Sequence, residues 1–116
     1  MSAKGAREGI VRKLLEGESA DETVSAVIDT RFADRAVLVV ETGAGVSGGV
    51  VRLEGSPDGA SGTWVQLATI TTNAANTVFA QMAVLNSIQA IMPYMRARIE
   101  TIISGGTIDA YLHTLE

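Results

Sequence analysis

The sequence predicts an all-β protein, an antiparallel β-sandwich of seven or eight strands. Three observations carry that reading. Apolar and polar side chains alternate over short runs, as where Met95, Ala97 and Ile99 interleave with Arg96, Arg98 and Glu100. Glycine- and proline-containing turns separate those runs at intervals typical of a sandwich. No strand pattern alternates with a long helical one, which argues against a doubly wound α/β sheet. No internal repeat of fixed period is visible.

Taken in chain order, residues 1–9 read as an N-terminal arm and 10–116 as a single β-sandwich domain. Residues 10–15 (Ile-Val-Arg-Lys-Leu-Leu) fit either the start of a strand or one helical turn. Residues 23–29 place Val24, Ala26 and Ile28 on one face. Residues 36–42 are rich in β-branched side chains and apolar on both faces, which predicts a central strand. The glycine-rich stretch 43–49 is a connection. In 50–55, Val51 and Leu53 face one way while Arg52 and Glu54 face the other.

Ser56-Pro57-Asp58-Gly59 is strong turn chemistry: proline presets φ, aspartate bonds nearby backbone, and glycine accepts positive φ. A strand follows over 63–71. Strict alternation puts Trp64 and Leu67 on opposite faces, and a bulge would reconcile them. Over 75–92, Val78, Met82 and Leu85 fit helical spacing, but Pro93 stops a helix from running into 94–103. The preferred reading is an extended strand near 77–85 followed by a loop, with a short helix as the alternative. Ser104-Gly105-Gly106 turns the chain. Ile108, Ala110 and Leu112 then alternate with Thr107, Asp109, Tyr111 and His113, and the last strand runs almost to Glu116.

The totals bound the function classes. A chain of 116 residues is one domain's worth and long enough to bury its own core. Hydrophobic residues make up 47% and charged ones 19%, so the chain folds, and its low charge fraction points to surface covered by a partner. No apolar run approaches the ~20 residues of a membrane helix, and no membrane partner is expected. The basic start lacks an apolar signal core, so secretion by a cleaved signal is not expected. The absence of cysteine excludes disulfides and thiolate metal sites. Residues 1–13 carry Lys4, Arg7, Arg12 and Lys13 against Glu8, a balance of +3, so the remainder holds −7 of the net −4. Four cations are too few to imply nucleic acid. The arm suits solvent or an acidic protein surface.

Catalytic chemistry finds little support. The single histidine, His113, sits on the outward face of the last strand, whereas a Ser–His–acid triad needs a histidine buried beside its nucleophile. The stretch 43–49 lacks a Gly-Lys-Ser/Thr ending and leads into a strand, not a helix, so it is no phosphate loop. The carboxylates are scattered and nominate neither a metal site nor an acid pair. No catalytic residue, metal or cofactor is therefore assigned. Arg96 and Arg98, with Arg52 across the sheet, form a cationic strip or pair with Glu54 and Glu100, the second being preferred. Trp64 reads as a core plug beside its turn. Phe79, Met82, Leu85 and Met92 lie in an apolar stretch suited to adaptable contacts between subunits.

The run from Val50 to Gly59, followed by Trp64-Val65-Gln66-Leu67, resembles a strand–turn–strand passage of small bacteriophage virion β-sandwich proteins. Tyr94-Met95-Arg96-Ala97-Arg98-Ile99 with Gly105-Gly106-Thr107-Ile108-Asp109-Ala110 is similar to their closing hairpin. The passages cover about half the chain in the expected order. The resemblance is to capsid decoration or cement proteins, and it implies a jelly-roll-like sandwich without enzymatic activity. It further implies a protein made in the host cytoplasm and carried on the virion. There it would bind the major capsid protein or another virion protein as a homo-oligomer, with a trimer favoured. The contacts it suggests are Lys4 and Arg7 on the arm, with Phe79, Met82, Leu85, Met92 and Tyr94 on the body. The alternatives are a phage tail or fibre component, or a carbohydrate-binding module for host glycans using Tyr94, Arg96 or Tyr111. The segment 74–93 is longer and more apolar than the simple strand the resemblance implies.

Overall fold

Alternation of side chains becomes two facing sheets in the computed structural model, which describes residues 9–31, 33–60, 62–85, 88–89 and 91–115. The strands are β1 (Gly9–Glu18), β2 (Ile28–Asp29), β3 (Arg35–Thr42), β4 (Gly48–Ser56), β5 (Val65–Thr71), β6 (Val78–Met82), β7 (Val84–Leu85), β8 (Ile88–Gln89), β9 (Tyr94–Ser104) and β10 (Ile108–Leu115). The first sheet has the order β1-β10-β3-β6 and the second β2-β9-β4-β5. All pairings within them are antiparallel. The chain crosses between these two sheets at almost every connection, and of their strands β4 and β5 are consecutive within one sheet. That is a jelly-roll-like order. The eight strands of the two sheets meet the expected count, and β7 and β8 add a two-residue ribbon.

The core is where the inward half of each alternation meets its counterpart. Leu38 and Val40 of β3, Ala110 and Leu112 of β10, Val51 and Leu53 of β4, and Ala97 and Ile99 of β9 are completely buried. Each large aliphatic among them contributes about 1.5–3 kcal/mol relative to exposure. Packing is also tight beside the second sheet, between β4, β5 and the segment that leads into β9. A Cβ on Gly55 of β4 would lie 2.6 Å from Leu67 Cδ1 and 2.7 Å from Met92 Cβ, so only glycine leaves room there.

Residues 10–15 form a strand, and β1 extends to Glu18 with two register shifts, between Lys13 and Leu15 and between Leu15 and Glu18. Residues 23–29 do not form a continuous strand with Val24, Ala26 and Ile28 facing inward. Val24 and Ala26 are exposed, and beyond β2 only an isolated bridge joins Val24 to Arg98. The inward side chain here is Ser25, whose Oγ accepts the Ala97 N–H at 2.9 Å. Its own N–H donates to the Ala97 carbonyl at 2.9 Å. Polar ties to the edge of β9 thus hold this segment in place of apolar burial.

The preferred extended reading of 77–85 holds, with β6 and β7 separated at Ala83. That residue is buried, and its N–H donates to the Ala36 carbonyl at 2.9 Å, which turns the chain off the edge of β3. The helical alternative does not occur among the described residues.

The turn after β4 is as its residues dictate. Ser56 Oγ accepts the Gly59 N–H at 2.9 Å and the Asp58 N–H at 3.3 Å, and Gly59 has φ +75°. Beyond it β5 carries a bulge: Leu53 faces Ala68, yet Glu54 faces Gln66, leaving Leu67 as the extra residue. Leu67 and Ala68 are both buried in consequence. Trp64 is not a core plug. It is half-buried, with the Arg96 guanidinium 4.2 Å from its ring centroid on the outside of the second sheet.

Candidate functional site

The chemistry of this molecule lies on the outer faces of its two sheets. On the second sheet the outward positions of β4 and β9 are charged. Register places Arg52 opposite Arg98 and Glu54 opposite Arg96. Glu54 is only 3% exposed although it points outward, because three arginine side chains lie over it. Its Oε1 accepts Arg96 Nε at 2.9 Å, while Oε2 lies 3.4 Å from Arg52 Nε and 3.6 Å from Arg98 Nη1. Arg52 Nη1 also donates to Glu100 at 2.9 Å, and Arg98 Nη2 donates to Glu22. The bond from Arg98 to Glu22 raises the guanidinium above its ordinary value. Arg96 is further covered by Trp64. Three arginines and three carboxylates therefore close on one another, which is the self-paired face the sequence favoured over a cationic strip.

The first sheet is built from the same period but other residues. Its outward positions run across the strands in register: Val11, His113, Val37 and Met82 form one row, and Lys13, Tyr111, Val39 and Ala80 the next. Val11 is 56% exposed, Met82 38%, and Val78 at the end of β6 63%. The charges sit at the margin. Lys13 Nζ binds Glu16 at 2.7 Å and lies 3.7 Å from Asp109, and the bond to Glu16 raises its ammonium above the usual lysine value. Tyr111 donates to Glu41 at 3.4 Å. A shallow pocket lined by Glu41, Thr42, Gly43, Thr107, Ile108 and Asp109 opens at this margin. Among the described residues no group of three potential ligands is placed to hold a metal ion.

The expected contact residues scatter. Phe79, Leu85 and Met92 are partly buried against the core, whereas Met82 stands out from the first sheet. Tyr94 is half-buried at the start of β9, with the Arg31 guanidinium 5.8 Å from its ring centroid and the Gly59 turn beside it. Lys4 and Arg7 lie outside the described residues. His113 is exposed on the outer face, as its alternation implies. Sequence reading passed over Val11, Val37, Val39, Val78 and Ala80. The signal for Val37 and Val39 was the two-sided apolar character of 36–42, which a central position also explains, and Val78 and Ala80 fall in the apolar stretch read as a contact between subunits.

No known protein family matches the sequence, and no curated protein does. Two solved structures are similar in fold. One is from Bacillus endospore appendages, described as a novel family of disulfide-linked pili. It shares 16% identity over 99% of this chain and 95% of that one, with a TM-score of 0.42. The other is the coat protein of Tobacco streak virus, with 12% identity over 100% of this chain and 90% of that one and a TM-score of 0.37. Neither likeness is close enough to carry function.

Proposed function

We propose that this protein is a non-enzymatic structural subunit of a bacteriophage virion, a capsid decoration or cement protein that binds the assembled shell as a homo-oligomer. The observation that supports it is the outer face of β1, β10, β3 and β6. On β3 and β6, Val37, Val39, Val78, Ala80 and Met82, with Val11 on β1, occupy positions that an antiparallel sheet normally gives to polar side chains, while Lys13, Tyr111 and His113 stand beside them. Burying such a face contributes on the order of 25 cal/mol per Å2, and repetition over many copies compounds a modest contact.

Arm residues Lys4 and Arg7 would add a basic tether to an acidic shell surface. The glycan-binding alternative is less well supported. The Trp64 ring is already stacked by Arg96, and Arg96 is committed to Glu54. A sugar would first have to displace the protein's own partners.

Co-sedimentation with assembled phage capsids tests the reading, followed by cryo-electron microscopy of the decorated particle. Saturable binding with density on the shell is the expected result. Density confined to the tail would support the tail or fibre alternative, and a protein that ignores the particle overturns the proposal.

A further inference from the structure

The edges of the first sheet differ in how they are protected. β1 forms one edge and β6 the other. β1 carries Arg12, Lys13, Glu16 and Glu18 and is bent by two register shifts, devices that discourage pairing with another chain. β6 has none of them. Its five residues, Val-Phe-Ala-Gln-Met, include no charge, no proline and no shift in their register with β3. An edge of this kind is a template for a further strand.

The ladder fixes which groups are free. The Thr42 N–H donates to the Thr77 carbonyl, and the Ala83 N–H donates to the Ala36 carbonyl. Hydrogen-bonded pairs alternate along an antiparallel ladder, so Phe79 and Gln81 also direct their main-chain groups at β3. Val78, Ala80 and Met82 direct theirs away from the sheet.

We propose that the occupant of this edge is the same strand of a second copy, paired antiparallel about a twofold axis through Ala80. The register follows from the free groups: Ala80 faces Ala80 of the second copy, and Val78 faces Met82 in both directions. Each pair is hydrogen-bonded, and each sets apolar side chains against apolar ones on the outer face. The strand carries no charge, so self-pairing brings no like charges together. Isologous twofold contact is the commonest form of self-association, and it requires only this one patch to complement itself. The product is a continuous eight-stranded sheet that doubles the apolar face. This contact deepens the assembly reading above, and its test uses the free protein, so that failure to pair and failure to bind a shell are told apart.

The chain lacks cysteine, so single cysteine variants report on contacts between copies. In the proposed register the two positions 80 have Cα atoms about 5.5 Å apart, within disulfide range. The two positions 78 are offset by four residues, about 13 Å, which is out of range. Ala80→Cys should give a covalent dimer under mild oxidation and Val78→Cys should not. Light scattering of the unmodified protein should give the mass of a dimer. Ala80→Pro, which deletes an N–H that the β3–β6 ladder does not use, should weaken the dimer at least tenfold. A mass that stays at one copy across a concentration series overturns the proposal. So does a trimer, equal crosslinking by the two cysteine variants, or a folded Ala80→Pro protein that dimerises normally. If Ala80→Pro does not fold, the cysteine pair decides.

Discussion

Outside β4 and β9 the side chains are ionic, whereas outside β3 and β6 they are mostly apolar. Both faces arise from the same alternation, and the inward residues beneath them are equally buried. The difference lies in what each outward residue has for a partner. Glu54 is reached by Arg52, Arg96 and Arg98 from neighbouring positions of one sheet, so the ionic face is complete within a single chain. Val37 and Val39 have Met82, Ala80, His113 and Tyr111 as their cross-strand neighbours, and none of these is a charged partner of the kind that closes over Glu54. A face that satisfies itself adds to the stability of the protomer. A face that does not is available for assembly. Substitutions on the two faces should therefore separate stability from association.

The largest effect is expected at Glu54. Glu54→Gln keeps the shape and removes the charge shared by three guanidinium groups, leaving them crowded under partial burial. A loss of about 3 kcal/mol is expected, typical of breaking a buried ion pair from one side. Urea unfolding measures it. A change below about 1 kcal/mol would mean that Glu22 and Glu100 hold the arginines unaided and that the ionic face is not centred on Glu54.

A smaller change in stability, with a larger change in association, is expected at Val37. Its half-buried side chain lies between His113 and Met82 on the open face. Val37→Lys should alter protomer stability by no more than about 1 kcal/mol, since the spread of strand preferences is of that size. Capsid binding should fall at least tenfold, because the charge would be stranded at the centre of the contact. Unchanged binding by a folded variant would remove the apolar face from the interaction.

How much of this was legible in the sequence follows from the range of each interaction. The Ser56–Gly59 turn and the alternation in β9 and β10 are local, and their residues announce them. Two of the arginine partners were legible too, because Glu54 and Glu100 sit in the same alternating strands, whereas Glu22, which holds Arg98, lies outside the strands and was not. Nor was the burial of Glu54. It depends on Arg52, Arg96 and Arg98 folding over one carboxylate, and Arg96 and Arg98 come from a strand more than 40 residues away. Trp64 was misplaced because its position beside the turn suggested a core plug; the bulge that the sequence allows falls at Leu67 and buries Leu67 and Ala68 together, which leaves Trp64 on the outer face. The apolar outer face was hidden by ambiguity. A strand that is apolar on both sides reads as buried on both sides, and only the pairing of β3 with β10 and β6 shows that one side is open.

The smallest expected effect lies where the ionic sheet turns, at Asp58. Its carboxylate accepts the Ala60 N–H at 2.9 Å and the Thr63 hydroxyl at 2.9 Å, and Ser56 Oγ also donates to it. The backbone bond from Ala60 is the leading cause that lowers its pKa below the ordinary aspartate value, with Thr63 next. A carboxylate whose folded-state pKa is depressed stabilises the fold fully above its unfolded value of about 3.9, and that contribution fades as pH falls through the lower folded value. Asp58→Asn retains an acceptor but has no charge to lose. The variant should be slightly less stable than the parent at neutral pH, and the gap should close in acid once the parent's carboxyl is protonated. Paired thermal unfolding curves across that range measure it. A gap of constant size would assign the effect of Asp58 to the geometry of the turn alone. A gap that closes would show that even the exposed end of this sheet draws its stability from charge, in contrast to the apolar face across the core.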